Sequence, residues 1–310
     1  MRIVTLDHIK SILPNVDLLS EIESGFAAYS SGLVVVPPVG ELSFQSPPGD
    51  VHIKYGYINE DDVYVIKIAS GFYENKIENL PVGNGMMLVF SQKTGQPLAM
   101  LQDECYLTDV RTAVAGAITA KHLSPKNIDR IGIVGTGTQA KLQLQYLKDV
   151  IDCNKVVVWG RSSDSLSNYI KSMDSYNYQV EPTASIDDIV KQCQLIITCT
   201  PSEKALIDEV NPGTHITAIG SDTTSKRELS SKLLFQADVV ITDSKSQCKE
   251  RGEIYQASKD GFLTSSVLEL GDIINGIDAG RVSQEQITVA DLTGVAVQDI
   301  QISKAILRNL

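Results

Sequence analysis

The sequence lacks the features that mark disulfide-rich and metal-binding proteins. Its five cysteines are odd in number and widely spaced, and no two of them form a CxxC pair. We therefore expect free thiols in a reducing compartment. Only four histidines are present, and neither an HExxH motif nor a nucleophile elbow occurs, so no metal site is predicted.

Long apolar runs and positive charge are also scarce. No window approaches ~18 consecutive apolar residues, the length of a membrane-spanning helix. The first residues include Asp7 and contain no apolar stretch typical of a signal peptide. The formal net charge of −11 argues against nucleic acid and anionic membranes as partners. We expect a cytoplasmic protein that binds neither.

The rest of the sequence shows two patterns of predicted secondary structure. Residues 7–31 predict helices broken near Pro14, and Val51–Leu101 contains consecutive short strands with tight turns, which predict a largely antiparallel sheet. A helix over Leu107–Leu123 follows, with Thr108 as its N-cap and with small residues that indicate close packing. Beyond it, short apolar strands alternate with helices, which predicts a doubly wound parallel sheet.

The second pattern is organised around Asp129–Ala140, which reads DRIGIVGTGTQA. A short β-branched strand runs directly into Gly135-Thr136-Gly137, and a helical pattern opens at Gln139. Strand, tight glycine turn and helix N-terminus together form a site for a pyrophosphate, because backbone N–H groups and the helix dipole favour an anion there. An ordinary βα turn is the alternative interpretation of so short a motif.

The next strand, KVVVWG, predicts which dinucleotide binds. An NAD-binding fold usually carries an acid at this strand's end, for the ribose hydroxyls. Here Arg161 and Ser162 follow instead, a pair that suits a 2′-phosphate, so NADP(H) is favoured and NAD(H) remains possible. The alternative is that Arg161 is a solvated loop cation. A later strand ends in the polar turn Thr198–Ser202, at the edge where ligands of such sheets bind.

Three charged residues are candidates for catalysis. Lys67 shares a strand face with apolar residues, where a charge is costly without a partner, although its side chain could also reach solvent. Arg111 lies one turn into the small-residue helix and is suited to bind a carboxylate, or is simply exposed. Asp222 follows the strand HITAIG and is either a catalytic group or the N-cap of the next helix.

Taken together, these stretches resemble the ornithine cyclodeaminase/mu-crystallin family. The resemblance lies in motifs that occur in the family's order and cover nearly the whole chain: IKIASGFYEN, TGQPLAML, LTDVRTA, IGIVGTGTQA, GSDTTSKREL and LTGVAVQD. It implies a homodimer and an α/β chain of two domains. Residues 1–117 and 293–310 would form a β-rich substrate-binding and dimerisation domain, and residues 118–292 a Rossmann domain for a nicotinamide cofactor.

The resemblance also implies roles for individual residues. Lys67 and Arg111 would bind and polarise the substrate carboxylate and reacting centre, and Asp222 would act as the acid/base or hold an amine. The implied cofactor contacts, besides Arg161 and Ser162, are Thr112, Gly135, Thr136, Gly137, Thr138, Gln139, Thr198, Cys199, Thr200, Gly294 and Val295.

One stretch departs from the family pattern. Members commonly have an arginine soon after a proline-rich extended segment, whereas here Pro37-Pro38 is followed by Val39-Gly40-Glu41. Lys54 in HIKYGY is the nearby cation that would replace it as a carboxylate ligand. His52, on the same strand face, would manage a proton or is structural.

The chemistry that the resemblance implies is hydride transfer between the nicotinamide and the α-carbon of an amino acid. The leading hypothesis is reduction of 1-pyrroline-2-carboxylate to L-proline, with dehydration of 3-hydroxyproline to the same imine as adjacent chemistry. One alternative is an ornithine cyclodeaminase, which forms proline and ammonia with NAD recycled. The other is a non-catalytic small-ligand-binding protein of the mu-crystallin type.

Overall fold

A computed structural model describes residues 1–262 and 267–310, and within them the chain divides into two units. The first unit comprises Met1–Arg111 and Val295–Leu310, and the second comprises Thr112–Gly294. The boundaries predicted from the sequence, after residues 117 and 292, lie a few residues from these.

The first unit is built on a mixed sheet. Its strands are β1 (Arg2–Thr5), β2 (Val34–Val35), β3 (Gly40–Gln45), β4 (Pro48–Ile58), β5 (Val63–Phe72), β6 (Gly83–Ser91) and β7 (Pro97–Gln102). The order is β1-β7-β6-β5-β4-β2, with β3 also paired to β4. Only the β1–β7 pair among these described strands is parallel, so the predicted antiparallel sheet is confirmed. Before it, α1 (Leu6–Ile12) and α2 (Leu18–Ser30) are separated by a 3-10 turn that contains Pro14.

The alternation of side chains along β5 places a lysine on the buried face of the sheet. Val63, Val65 and Lys67 are all buried, because side chains two residues apart in a strand share a face. Across the sheet, Lys67 lies opposite Lys54 of β4 and opposite Met87 of β6. The sheet therefore sets two lysines side by side on one buried face.

The helix α3 (Tyr106–Leu123) carries the chain out of the first unit, and the boundary falls within it, between Arg111 and Thr112. Thr108 was predicted as its N-cap, and this prediction is wrong, because the helix already begins at Tyr106. The Asp103 carboxylate accepts a hydrogen bond from the Leu107 backbone N–H at 2.9 Å and so caps the first turn.

The second unit is a parallel sheet with helices between its strands. Its strands are β8 (Ile131–Val134), β9 (Lys155–Trp159), β10 (Gln179–Thr183), β11 (Leu195–Thr198), β12 (His215–Ala218), β13 (Val239–Thr242), β14 (Leu268–Glu269) and β15 (Thr288–Asp291). The order is β10-β9-β8-β11-β12-β15-β13-β14, and every pair among them is parallel. The chain reverses direction across the sheet at β8, which places a ligand crevice between the carboxyl ends of β8 and β11.

The helices of this unit are short, and the strands between them are apolar. They are α4 (Thr138–Leu147), α5 (Ser163–Met173), α6 (Ile186–Gln192), α7 (Ser231–Gln236), α8 (Gly252–Lys259) and α9 (Leu270–Ile274). Every residue of β8, β11, β12, β13 and β15 is buried, as expected for a parallel sheet covered on both faces. The predicted doubly wound sheet is confirmed.

The last helix, α10 (Ala296–Arg308), returns to the first unit. It is buried along most of its length, and its buried residues include Gln298, Asp299, Gln301 and Ser303. Polar side chains in such a place need partners, which the site below supplies for two of them. Across the described residues, no helix combines the length and the apolar character needed to cross a membrane.

Candidate active site

A carboxylate shared by two cations forms the centre of the first unit. Arg111 of α3 donates from Nε to Asp299 Oδ1 at 3.0 Å and from Nη1 to Gln298 Oε1 at 3.0 Å. Lys67 Nζ lies 3.7 Å from Asp299 Oδ2. These side chains are buried, with at most 5% of any charged member exposed. Strand β5 and helices α3 and α10 therefore meet in one ionic cluster.

Burial makes the charges in this cluster costly. Desolvation lowers the pKa of Lys67, and Arg111 lowers it further, while Asp299 raises it. Asp299 Oδ2 accepts no hydrogen bond within the described residues, although it faces the Lys67 ammonium. Within this cluster two cations share the Asp299 carboxylate, and a negatively charged ligand group would be a further partner for them.

A second carboxyl, Asp103, lies beside the cluster. Desolvation raises its pKa to about 6, against the hydrogen bond that its side chain accepts from Leu107. Its Oδ1 accepts no hydrogen bond within the described part of the chain. The next two residues, Glu104 and Cys105, have φ of 52° and 69°, which side chains other than glycine adopt at a cost. Strain of this kind is concentrated in functional sites.

Lys54 and His52 occupy the neighbouring strand. Lys54 is 8% exposed and directly opposite Lys67, so the structure brings the predicted cations together. His52, two residues earlier, lies 3.7 Å from Glu41 Oε1 and 4.0 Å from Asp50 Oδ1. His52 therefore lies between two carboxylates, one on β3 and the other on its own strand, β4.

In the second unit, the predicted glycine turn has the geometry of an anion site. Gly135 has a φ of +129°, and a Cβ there would lie 2.9 Å from the Cys199 carbonyl oxygen and sulfur, so only glycine fits. A Cβ on Gly137 would meet nothing within 4 Å. The turn thus leaves open space in front of Thr138 and Gln139, the first residues of α4, and the N-terminus of a helix favours a phosphate.

These residues fit a dinucleotide. Ala140, at the third small position of the motif, is fully buried, as close packing of helix on strand requires. Thr112 of α3 lies near α4, since its carbonyl accepts from Gln143 Nε2 at 3.2 Å. Gly135, Gly137, Thr138 and Thr112 are the residues that could hold the pyrophosphate.

The end of β9 carries the residues predicted to select the dinucleotide. Arg161 is exposed, and Ser162 is the N-cap of α5, with its hydroxyl accepting from the Ser165 N–H at 3.2 Å. The Ser162 hydroxyl is therefore already used in capping, which leaves Arg161 as the group free to meet a phosphate. Trp159, the single tryptophan of the chain, ends the same strand.

A buried glutamate ties together two turns of this unit. Glu228 Oε1 accepts from the Thr200 backbone N–H at 2.6 Å and from the Thr200 hydroxyl at 2.8 Å. Its Oε2 accepts from the Thr198 hydroxyl at 2.8 Å and from the Gly220 N–H at 2.9 Å. Glu228 is fully buried, and desolvation raises its pKa to about 7.

Asp222 follows Gly220 in an irregular turn. Lys226 Nζ donates to Asp222 Oδ1 at 2.7 Å, and 45% of the Asp222 side chain is exposed. The alternative that Asp222 caps the next helix is wrong, because that helix is α7 and its N-cap is Ser230. Asp222 therefore remains a carboxylate whose charge a lysine stabilises.

The last predicted turn is also held by a buried acid. Asp243 Oδ2 accepts from the Gly294 N–H at 2.7 Å, and Oδ1 accepts from the Thr293 N–H at 3.1 Å. Gly294 has a φ of +80°. Val295, the first residue of the returning segment, is fully buried.

Sequence reasoning missed the acids that hold the predicted residues. It assigned no role to Asp103, Glu228, Asp243 or Asp299. A signal for Asp299 was present, since α10 carries Gln298, Asp299, Gln301 and Ser303 among apolar residues and cannot turn all of them to solvent. For Glu228 there was no signal beyond its place in GSDTTSKREL.

Comparison with known proteins gives the chain relatives over its full length. The family model described as the ornithine cyclodeaminase/mu-crystallin family matches residues 2–310. The chain is 34% identical over 310 residues to an uncharacterized cyclodeaminase of Sinorhizobium fredii, covering 98% of this chain and 94% of that protein. It is 32% identical over 317 residues to the alanine dehydrogenase of Archaeoglobus fulgidus, covering 99% and 94%. Identity is 27% over 311 residues to a delta(1)-pyrroline-2-carboxylate reductase of Bacillus thuringiensis, covering 98% and 95%.

Two solved structures share the fold. An archaeal alanine dehydrogenase dimer with bound NAD superposes with a TM-score of 0.92 at 30% identity, covering 100% of this chain and 95% of that one. The iminosuccinate reductase of Paracoccus denitrificans, in complex with NAD+, gives a TM-score of 0.91 at 27% identity, covering 100% and 96%. The predicted Rossmann-type α/β fold is confirmed.

We predict that Lys67→Met leaves the melting temperature unchanged or raises it by ~2–4 °C, equivalent to about 1 kcal/mol. Methionine keeps the length and apolar contacts of the buried side chain but removes a poorly compensated charge, and Asp299 retains Arg111 as its partner. Differential scanning fluorimetry measures the change. The control is Lys93→Met, at an exposed lysine paired with exposed Asp62, where we expect little effect. A fall of several degrees in the Lys67 variant alone would show that the lysine is there for stability.

Proposed function

The chain belongs to the ornithine cyclodeaminase/mu-crystallin family, and from this premise we propose that it is an NAD(P)H-dependent reductase of a cyclic imino acid, converting 1-pyrroline-2-carboxylate to L-proline. The observation that carries the proposal is the buried pair of cations, Lys67 and Arg111, which share the Asp299 carboxylate. Reductases and dehydrogenases of imino and amino acids among the relatives support it.

Three cations of the first unit bind the substrate in this proposal. Arg111 and Lys67 bind the substrate carboxylate. The two cations share the single carboxylate of Asp299, and the substrate supplies a second negative charge. Lys54, opposite Lys67, supplies a further cation for the same carboxylate. Binding in a buried place strengthens these interactions, since little water screens them.

Besides binding the carboxylate, the protein orients the imine and holds a proton. A reduced nicotinamide, when bound, supplies the hydride that the imine carbon accepts. Asp222 or His52 holds the proton of the imine nitrogen, and Lys226 Nζ donates to Asp222 Oδ1. Loss of water from 3-hydroxyproline gives the same imine, so dehydration of that compound is a possible side activity of the same site.

The cofactor is held by residues of the second unit in this proposal. The N–H groups around Gly135–Gln139 and the Thr112 segment bind the pyrophosphate, while Thr136, Thr198, Cys199, Thr200, Gly294 and Val295 line the rest of the cofactor. Arg161 binds a 2′-phosphate, so that NADP(H) is favoured, with NAD(H) as the alternative.

Two other reactions have specific support. A cyclodeaminase that recycles NAD and converts ornithine to proline and ammonia is favoured by the relative of Sinorhizobium fredii. Its amine-binding carboxylate would be Asp222, which already pairs with Lys226, and this counts against it. Reductive amination of pyruvate is favoured by the identity to an alanine dehydrogenase. A binding protein of the mu-crystallin type would keep the cleft residues without turnover.

We also propose that the protein is a homodimer through the first unit. Six large apolar side chains on or next to β2, β3 and β4 are at least a third exposed: Leu33, Val35, Leu42, Phe44, Tyr55 and Tyr57. Val35 and Tyr57 are paired across the strands, and Leu42 lies on the adjoining β3. An apolar surface of this kind is typical of a protein interface.

The first experiment follows NADPH or NADH absorbance with 1-pyrroline-2-carboxylate, beside the same assay with pyruvate and ammonia. A third reaction measures ammonia release from L-ornithine with catalytic NAD. We expect rapid oxidation of NADPH with the cyclic imine and no ammonia from ornithine. Lys67→Met should lower kcat/KM by ~100-fold or more, because the carboxylate loses a buried partner. Lys93→Met is the matched control.

Other outcomes assign the protein differently. Ammonia and proline from ornithine would establish a cyclodeaminase, and turnover of pyruvate alone would establish an alanine dehydrogenase. No turnover of any substrate, with nucleotide still bound, would favour a binding protein.

Cofactor selection is tested by Arg161→Ala. We expect the dissociation constant of NADPH to rise about tenfold, since one charge-assisted bond to phosphate is lost, while that of NADH changes less than about twofold. Energy transfer from Trp159 to the reduced nicotinamide measures both without turnover. Equal changes for the two nucleotides would contradict the phosphate role.

Dimerisation is tested by replacing apolar residues at the proposed interface. The double variant Leu42→Lys and Phe44→Lys should elute as a monomer in size-exclusion chromatography with light scattering, because buried lysines are costly at an interface core. Ile277→Lys, at an exposed apolar residue of the second unit, is the control and should not change the mass. A dimer of the double variant would place the interface elsewhere.

A further inference from the structure

Glu228 is a buried acid that none of the roles above requires. It lies in the irregular segment before α7, with its side chain turned toward the carboxyl ends of β11 and β12. Burying a carboxylate is costly, and desolvation raises its pKa even though four hydrogen bonds favour the charged form. An apolar side chain of similar size would leave the N–H groups of Thr200 and Gly220 without this acceptor, so a carboxylate is required where these two turns meet.

The donors of those four bonds belong to two different turns. Thr198 ends β11 and Thr200 lies in the turn that follows, and in the proposed function both residues line the cofactor. Gly220 begins the turn that leads to Asp222 two residues later. A Cβ on Gly220 would lie 2.2 Å from the Thr200 carbonyl oxygen and 2.6 Å from the Glu228 carboxyl, so the two turns and the acid are in close contact.

We propose that Glu228 is a positioning residue, which fixes the Thr198–Thr200 turn and the Gly220–Asp222 turn at one separation and so sets Asp222 against the cofactor side of the crevice. This rests on the proposed function for the roles of the two turns. The backbone of Glu228 is itself fixed, because Glu253 Oε1 accepts from its N–H at 2.6 Å. The carboxylate therefore holds the two turns at a fixed separation. Efficient turnover requires this separation to be correct to within a fraction of an ångström.

The hydrogen-bonding pattern makes the substitution Glu228→Gln an informative test. Each carboxylate oxygen accepts one backbone N–H, from Thr200 at Oε1 and from Gly220 at Oε2. A hydroxyl can rotate to accept from an amide, but a backbone N–H cannot. Whichever oxygen the glutamine NH2 replaces, it faces a fixed donor, and one turn must move away.

We expect Glu228→Gln to lower kcat by ~10- to 100-fold, while the dissociation constant of NADPH changes less than about threefold. In the proposed function the nucleotide is held mainly at Gly135–Gln139, whereas the Glu228 carboxylate binds Thr198, Thr200 and Gly220. Energy transfer from Trp159 measures nucleotide binding. Hydrogen exchange by mass spectrometry should show faster exchange in residues 198–202 or 219–222. Thr198→Val, which removes a single donor and keeps the charge, should give a smaller fall in kcat. The control is Glu209→Gln, at an exposed acid paired with Lys232, with all values unchanged.

Three results would overturn the proposal. The first is a kcat of the folded Glu228→Gln variant that lies within about twofold of the kcat of the unaltered protein. The second is unaltered exchange in both turns. The third is a parallel loss of melting temperature and nucleotide binding with kcat per folded molecule retained, which is the behaviour of a merely structural residue. A different outcome separates the two proposals. If the unaltered protein reduces no imino acid but hydrogen exchange is altered in the Glu228→Gln variant, the proposed function is rejected and the positioning of the turns is supported.

Discussion

The Asp299 carboxylate is the interaction on which the first unit depends. It lies on the last helix and faces cations from β5 and α3, which are far apart in the chain. Each cation is buried and needs a counter-charge, and one carboxylate supplies part of it to both. The arrangement holds three elements together and keeps two cations close to each other. The same contacts that close the fold therefore fix the positions of the two cations to which the proposed function assigns a substrate carboxylate.

The second unit uses buried acids in a different way. Glu228, Glu253, Asp243 and Asp291 accept hydrogen bonds from backbone N–H groups in irregular segments and at a helix start. Parallel strands end in irregular turns, whose N–H groups have no strand partner. A carboxylate with two oxygens serves several of these donors at once, which gives loops the rigidity that regular structure gives to strands.

The sequence predicts most of the fold because the relevant signals are local. Period-two alternation placed Lys67 on the buried face, and the strand, glycine turn and helix pattern located the crevice at Gly135. The capping of α3 was missed because Thr108 is a good cap by type, whereas Asp103 reaches Leu107 from a strained turn. Asp299 and Glu228 were missed because their partners lie far away in the chain, and no local pattern reports such contacts.

The division of the chain at Arg111 and Val295 has a consequence for biosynthesis. A ribosome delivers the whole of the second unit, as one continuous segment, before α10 exists. The first unit begins earlier but stays incomplete until α10 has been made. Until then Lys67 and Arg111 have no Asp299, and their charges oppose burial of β5 and α3. Burial of these two elements therefore depends on a helix that is synthesised after the whole of the second unit.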